Sequence, residues 1–193
     1  MKTICLATNN KHKVEELQQM LEGLFEIKTL KDIGCEEDIP ETADTFEGNS
    51  LQKARFVFDH YGMDCISDDS GLEVDALNGE PGVFSARYAG EHGNHAANIE
   101  KLLSKLSGRS NRKANFRTSV TLILEGEIHQ FEGIVDGRIS EEKIGNGGFG
   151  YDPIFIPEGY DCTFAQMSME EKNPISHRGK AIEKLIGFLK NRH

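Results

Sequence analysis

Thr8-Asn9-Asn10-Lys11-His12-Lys13 follows a short apolar run and opens a stretch of helical spacing. A helix N-terminus presents unbonded N–H groups and the positive end of the macrodipole, so it suits phosphate. The Thr and Asn side chains can add hydrogen bonds there, and Lys13 adds a full charge. The segment is not a Walker loop, because the glycines and the Gly-Lys-Ser/Thr ending are missing. An ordinary helix cap with exposed lysines is the competing reading. Asp68-Asp69-Ser70-Gly71 offers acidic chemistry instead. Neighbouring strand residues face opposite ways, so one of these two carboxylates is expected to point into any given site. Carboxylates at the end of a strand in an α/β protein suit Mg²⁺, while Asp and Gly also favour plain solvated turns. Glu41, in an acidic loop after Pro40, could supply another oxygen ligand, as could Glu36, Glu37 or Asp38.

Gly145-Asn146-Gly147-Gly148-Phe149-Gly150 matches G-x-G-x-x-G in form. That fingerprint binds dinucleotides only when it follows a strand and opens a helix, and here Tyr151-Asp152-Pro153 and an Ile-Phe-Ile strand follow. A flat aromatic slot for a base, built from Phe149 and Tyr151, fits better; the alternative is a connection whose aromatics belong to the core. Ser176-His177-Arg178 precedes the last helix, with Lys172 four residues before Ser176 on an expected loop. Arg and Lys offer donors to phosphate, and His and Ser offer donors to a base edge. A Ser–His nucleophilic pair is disfavoured, since adjacent residues rarely face each other.

These groups need a scaffold, and the spacing predicts a mixed α/β one. Strands are expected at Ile4 to Ala7, Phe25 to Leu30 and Asp64 to Ser67, the last ending abruptly at Asp68-Asp69. Helices are expected at Lys11 to Leu21, Phe46 to Tyr61, His95 to Leu106 and from Ser176 to about Arg192. The residues Phe116 to Leu124 and Ile128 to Val135 read as a hairpin around Glu125-Gly126-Glu127. Ile33 to Asp44 and Leu77 to Gly82 read as loops.

Composition narrows the partners. The chain has 193 residues, 37% hydrophobic and 28% charged, with a net charge of −10. That balance argues against a membrane-spanning or disordered chain, and against non-specific binding to nucleic acid or an anionic membrane. It leaves room for a small polyanion met by local cations and a divalent metal. Cys5, Cys35, Cys65 and Cys162 form no C-x-x-C pair, which points to a reduced, cytoplasmic setting.

Taken in order, the motifs resemble the inosine triphosphate pyrophosphatase family, house-cleaning enzymes that hydrolyse ITP, dITP and XTP. The match is carried by Thr8-x-Asn10-x-x-Lys13, Asp68-Asp69-Ser70-Gly71-Leu72 and Gly82-x-x-Ser85-Ala86-Arg87-Tyr88. It continues through Phe149-Gly150-Tyr151-Asp152-Pro153, Glu171-Lys172-Asn173 and Ser176-His177-Arg178. The resemblance implies one domain over 1–193, with an elongated central sheet flanked by helices and two lobes enclosing an active-site cleft. It implies that Thr8, Asn9, Asn10, Lys11, His12 and Lys13 hold the triphosphate. Asp69 would be the catalytic carboxylate and, with Glu41, a ligand of Mg²⁺; Asp68 stands beside it. Ser70 would touch the substrate, and Phe149, Gly150, Tyr151 and Asp152 would line the nucleoside pocket. Lys172, His177 and Arg178 would close over base and phosphates, and Lys53 would project toward the phosphates. Many members carry Gly where this chain has Asn9, a residue that tolerates left-handed backbone geometry. The implied reaction is water attack on the α-phosphorus, releasing pyrophosphate, in a homodimer. A pyrophosphatase for another modified nucleotide and a non-catalytic nucleotide-binding regulator are the alternatives.

Overall fold

The computed structural model describes residues 2–192. Its first strand, β1 (Lys2–Leu6), ends in three fully buried residues, Ile4, Cys5 and Leu6. The chain then turns into α1 (Lys11–Met20), capped by Asn10, whose side chain accepts from the N–H groups of His12 and Lys13 at 3.1 and 3.2 Å. Such a cap satisfies donors that the first helical turn cannot pair internally. β2 (Phe25–Thr29) runs parallel to β1, pairing Ile4 with Ile27. The acidic loop follows, then α2 (Phe46–Tyr61), capped by Thr45 and stopped by left-handed Gly62 at φ 63°. β3 (Cys65–Val74) lies parallel to β1 on its other side, with Cys5 opposite Cys65.

After α3 (His95–Leu106) come β4 (Lys113–Leu124) and β5 (Glu127–Ile139). They are joined through Glu125 and Gly126, both at positive φ, as a tight hairpin turn requires. β6 (Phe155–Pro157) pairs antiparallel with β5. The chain ends in the single turn α4 (Met169–Lys172) and in α5 (His177–Asn191). The strands form one mixed sheet in the order β2-β1-β3-β4-β5-β6. None of the described helices is long and apolar enough to cross a membrane.

Two expectations need correction. The strand expected to end at Ser67 continues through Asp68-Asp69-Ser70-Gly71 to Val74. The acidic pair is therefore mid-strand, on a sheet where β1 and β4 flank β3. Lys172 does not stand on a loop: it ends α4, which a reciprocal Ser168–Glu171 capping box initiates.

The chain divides into two compact units. The first comprises Met1–Asp69, Thr118–Gly133 and Arg178–His193, and the second Ser70–Arg117 and Ile134–His177. Each has its own apolar core. In the first, Ile4, Leu6, Leu17, Ile66, Leu122 and Leu185 pack in one cluster, and Cys5, Leu30, Ala54, Val57 and Cys65 in another. In the second, Leu72, Leu102, Leu106, Phe116, Phe155 and Phe164 pack together.

Candidate active site

The first unit gathers an alternating set of buried acids and cations. Asp68 has no exposed surface, and Arg178, at the start of α5, is only 1% exposed. Arg178 donates through Nε and Nη2 to Asp68 Oδ2 at 3.2 and 3.1 Å, and its Nη1 pairs with Glu16 of α1. Lys13 reaches the same Asp68 oxygen at 3.1 Å. Burial alone would push the Asp68 carboxyl up, but Lys13, Arg178 and Lys53 override it and hold it far below the usual range. Asp68 is thus a permanent anion that fixes two cations.

Asp69 behaves differently. Burial pushes its carboxyl above the ordinary value, Glu41 adds to the rise, and Lys13 and Lys53 offset only part of it. Its Oδ2 accepts from Asn49 Nδ2 at 3.0 Å, and Thr118 Oγ1 donates to its backbone carbonyl at 3.1 Å. Lys53 of α2 is buried, donates to the Asp68 carbonyl at 2.5 Å and pairs with Glu41 at 2.7 Å. Burial pushes the Glu41 carboxyl up, but Lys53 and Lys13 together hold it below its ordinary value, so Glu41 stays ionised. Lys53 is likewise held protonated, because Glu41, Asp68 and Asp69 outweigh its burial. Lys13 goes the other way: burial lowers it, opposed by Asp68 but reinforced by Lys53 and Arg178. Before α1, Thr8 is buried and Asn9 exposed, and Lys11 and His12 are exposed in the first turn of the helix.

The second unit gathers the aromatic and base-contacting candidates. Asp152 is buried, and its Oδ2 accepts from Lys172 Nζ at 2.7 Å and from the Phe149 N–H at 3.0 Å. That carboxylate occupies the position a Cβ on Gly148 would fill, and Gly148 has φ +67°, so glycine is required there. Lys172 Nζ lies 5.2 Å from the centre of the half-buried Phe149 ring. Gly150 follows at φ 59°. Tyr151 is a core residue, its hydroxyl donating to the Ser85 carbonyl at 2.7 Å. His177 is buried and stacks on Phe116 at 4.8 Å, with the rings 14° from parallel. Ser70 is half-buried on β3.

Comparison with known proteins places the chain in a family. The Ham1 family model matches residues 4–188. The chain belongs to the Ham1 family. A Flavobacterium psychrophilum relative named dITP/XTP pyrophosphatase is 57% identical over 97% of this chain and 99% of its own. A Bacillus subtilis relative of the same name is 47% identical over 98% of each chain. The solved Staphylococcus aureus Ham1 protein is 41% identical, covers both chains completely and has a TM-score of 0.90. A Coxiella burnetii HAM1 protein is 39% identical with a TM-score of 0.89, over 99% of this chain and all of its own. The mixed sheet with flanking helices is thus the fold of Ham1 proteins.

Glu16 and Asn49 were not singled out from the sequence, and Ser85 entered only as part of a motif. Glu16, Asn49 and Ser85 each bond directly to a candidate residue. Asn49 carried a signal: with Phe46, Ser50, Lys53, Ala54 and Val57 it repeats at helical spacing on the buried face of α2. A polar residue on such a face must find a partner.

Proposed function

We propose that this chain is a house-cleaning hydrolase that converts ITP, dITP and XTP to the nucleoside monophosphate and pyrophosphate. The relatives named dITP/XTP pyrophosphatase support the reaction class. The observation that carries the chemistry is the difference between the two adjacent aspartates. Asp68 is locked as an anion among cations, whereas Asp69 is a buried carboxylate with raised proton affinity. A carboxylate of that kind is suited to orient water and accept its proton. Lys13 and Lys53 would meet the phosphates, with Thr8, Asn9, Asn10, Lys11 and His12 supplying further donors at the start of α1. Phe149, Gly150, Tyr151, Asp152, Lys172, His177 and Ser70 would serve the nucleoside, and Arg178 would serve base or phosphate.

Glu41 and Asp69 are the acids suited to hold Mg²⁺. No group of three or more His, Cys, Asp or Glu among the described residues could hold a metal ion. Two carboxylates nevertheless fit this ion, which is commonly bound by one or two carboxylates and substrate phosphates. The destabilising effect of Glu41 on the Asp69 charge is what a cation would relieve. When bound, Mg²⁺ would neutralise charge on the departing pyrophosphate. The protein's part is positioning and electrostatics, so no covalent intermediate is needed.

Selection among bases follows from hydrogen bonding. Hypoxanthine and xanthine present an acceptor at position 6 where adenine presents an amino donor. A site that aims donors there leaves them unpaired with adenine. Pyrophosphate release from a panel of ITP, dITP, XTP, GTP, ATP and dUTP with Mg²⁺ tests this reading. Preference for the first three is expected, preference for dUTP would move the assignment to modified pyrimidines, and binding without release would make the protein a nucleotide-binding regulator. The proposal includes a cytoplasmic homodimer, which a light-scattering mass near the 21.5 kDa of one chain would refute.

A further inference from the structure

Asn49 is 1% exposed, and both ends of its amide are engaged. Oδ1 accepts from the Ala43 N–H at 2.9 Å, and Nδ2 donates to Asp69 Oδ2 at 3.0 Å. One side chain therefore ties the acidic loop, two residues beyond Glu41, to the carboxylate on β3. Two neighbouring rungs fasten the same loop to the same helix. Gln52 Oε1 accepts from the Thr42 N–H at 2.9 Å while its Nε2 donates to Thr42 Oγ1 at 3.0 Å. Lys53 pairs with Glu41 at 2.7 Å. Residues 41, 42 and 43 are thus each held by one residue of α2. Gly48 makes the approach possible, because a Cβ there would come within 2.6 Å of the Ala43 Cβ.

The chemistry of the position selects an amide. The site needs an acceptor toward a backbone N–H and a donor toward a carboxylate, which asparagine provides in one planar group. Aspartate would lose the donor and set a second negative charge against Asp69. Leucine would keep the volume and leave both partners unsatisfied.

We propose that Asn49 is a positioning residue that fixes the Asp69 carboxylate relative to Glu41, so that both acids address one divalent cation and the reacting water. The proposal rests on the hydrolase reading above and deepens it. It is tested with Asn49→Leu and Asn49→Ser, measuring kcat and KM for ITP with saturating Mg²⁺. Mn²⁺ affinity of the nucleotide-free protein, read by electron paramagnetic resonance, is the second measurement. Loss of an outer group that orients a metal ligand commonly costs about 10–100-fold in activity or metal affinity. The expected result is a kcat drop of that size, KM nearly constant, and Mn²⁺ binding weakened by about tenfold or more. A folded variant with kcat and Mn²⁺ affinity near wild type overturns the proposal, and so does a loss confined to KM. If the leucine variant loses its near-ultraviolet circular dichroism, the serine variant carries the same criteria. A wild-type chain that binds Mn²⁺ but does not turn over ITP sinks the hydrolase reading alone. Mn²⁺ affinity then decides for Asn49, with weakening supporting it and no change overturning it. A wild type that does neither overturns both.

Discussion

Adjacent residues with the same side chain can have opposite duties when their surroundings differ, and Asp68 and Asp69 illustrate this. Asp68 meets Arg178 and Lys13 and is held ionised, while burial makes the Asp69 carboxyl more basic. Asp69→Asn removes that basicity at little cost in volume. We expect it to abolish pyrophosphate release from ITP while circular dichroism stays at the wild-type level; near-normal turnover would remove Asp69 from the catalytic role. Arg178→Met acts on the other member. It strips a buried cation from both Asp68 and Glu16, leaving less to offset the desolvation of either charge. Breaking such a buried pair costs about 3–5 kcal/mol, to be read by urea unfolding at pH 7. The sign with pH is fixed by the depressed Asp68 value. A depressed carboxyl contributes stability above its unfolded pKa of about 3.9 and loses it as pH falls toward the folded value. The gap between wild type and Arg178→Met should therefore narrow progressively below about pH 4. A gap independent of pH would mean that Asp68 is not the partner that matters.

At the scale of elements, the long helices were legible because their apolar spacing and caps agree, whereas the single turn α4 was not. Thr45 before Phe46 and Gly62 after Tyr61 bracket α2 as local chemistry dictates. The course of β3 was not legible. Asp, Ser and Gly disfavour strands as isolated residues, yet β3 runs through them as a strand of the six-stranded sheet. The Asp–Asp–Ser–Gly motif was legible as a cluster of acids but not as a strand, since its strand partners are distant in sequence. Tyr151 is a similar case: its type was legible, but its packing in the core and its bond to the remote Ser85 carbonyl were not. The register of β1 against β3 leads to a further expectation. It sets Cys5 opposite Cys65, both fully buried, and burial pushes the Cys5 thiol up to about 12 and the Cys65 thiol higher still. Cys35 is also buried, and Cys162 is the more accessible thiol. Because the thiolate is the reactive form, iodoacetamide at pH 8 should label native protein at Cys162 alone. Mass spectrometry of urea-unfolded protein should show all four cysteines modified, and rapid native labelling of Cys5 or Cys65 would contradict the β1–β3 packing.

For the whole molecule, a net charge of −10 bears on extended polyanions and not on a triphosphate met by a few buried cations. Lys13, Lys53 and Arg178 are each bound to acids, so the first unit carries a cationic set that is already partly neutralised. Affinity for a nucleotide should then depend on a divalent cation that offsets Glu41 and Asp69, whereas folding should not. Each unit is built on its own apolar cluster, and no group of three or more metal-ligating side chains among the described residues could hold a structural ion. Structural metal sites contribute folding free energy directly, and their proteins unfold in chelator. A site of two carboxylates completed by substrate contributes to stability only through mass action at the metal concentration present. EDTA in excess should therefore abolish pyrophosphate release from ITP and leave the Tm in calorimetry within a few degrees of the Mg²⁺-loaded value. Readdition of Mg²⁺ should restore turnover fully. Turnover that survives EDTA would remove the metal from the reaction. A collapse of Tm would instead make the ion part of the fold, a role that the independent cores of the two units do not require.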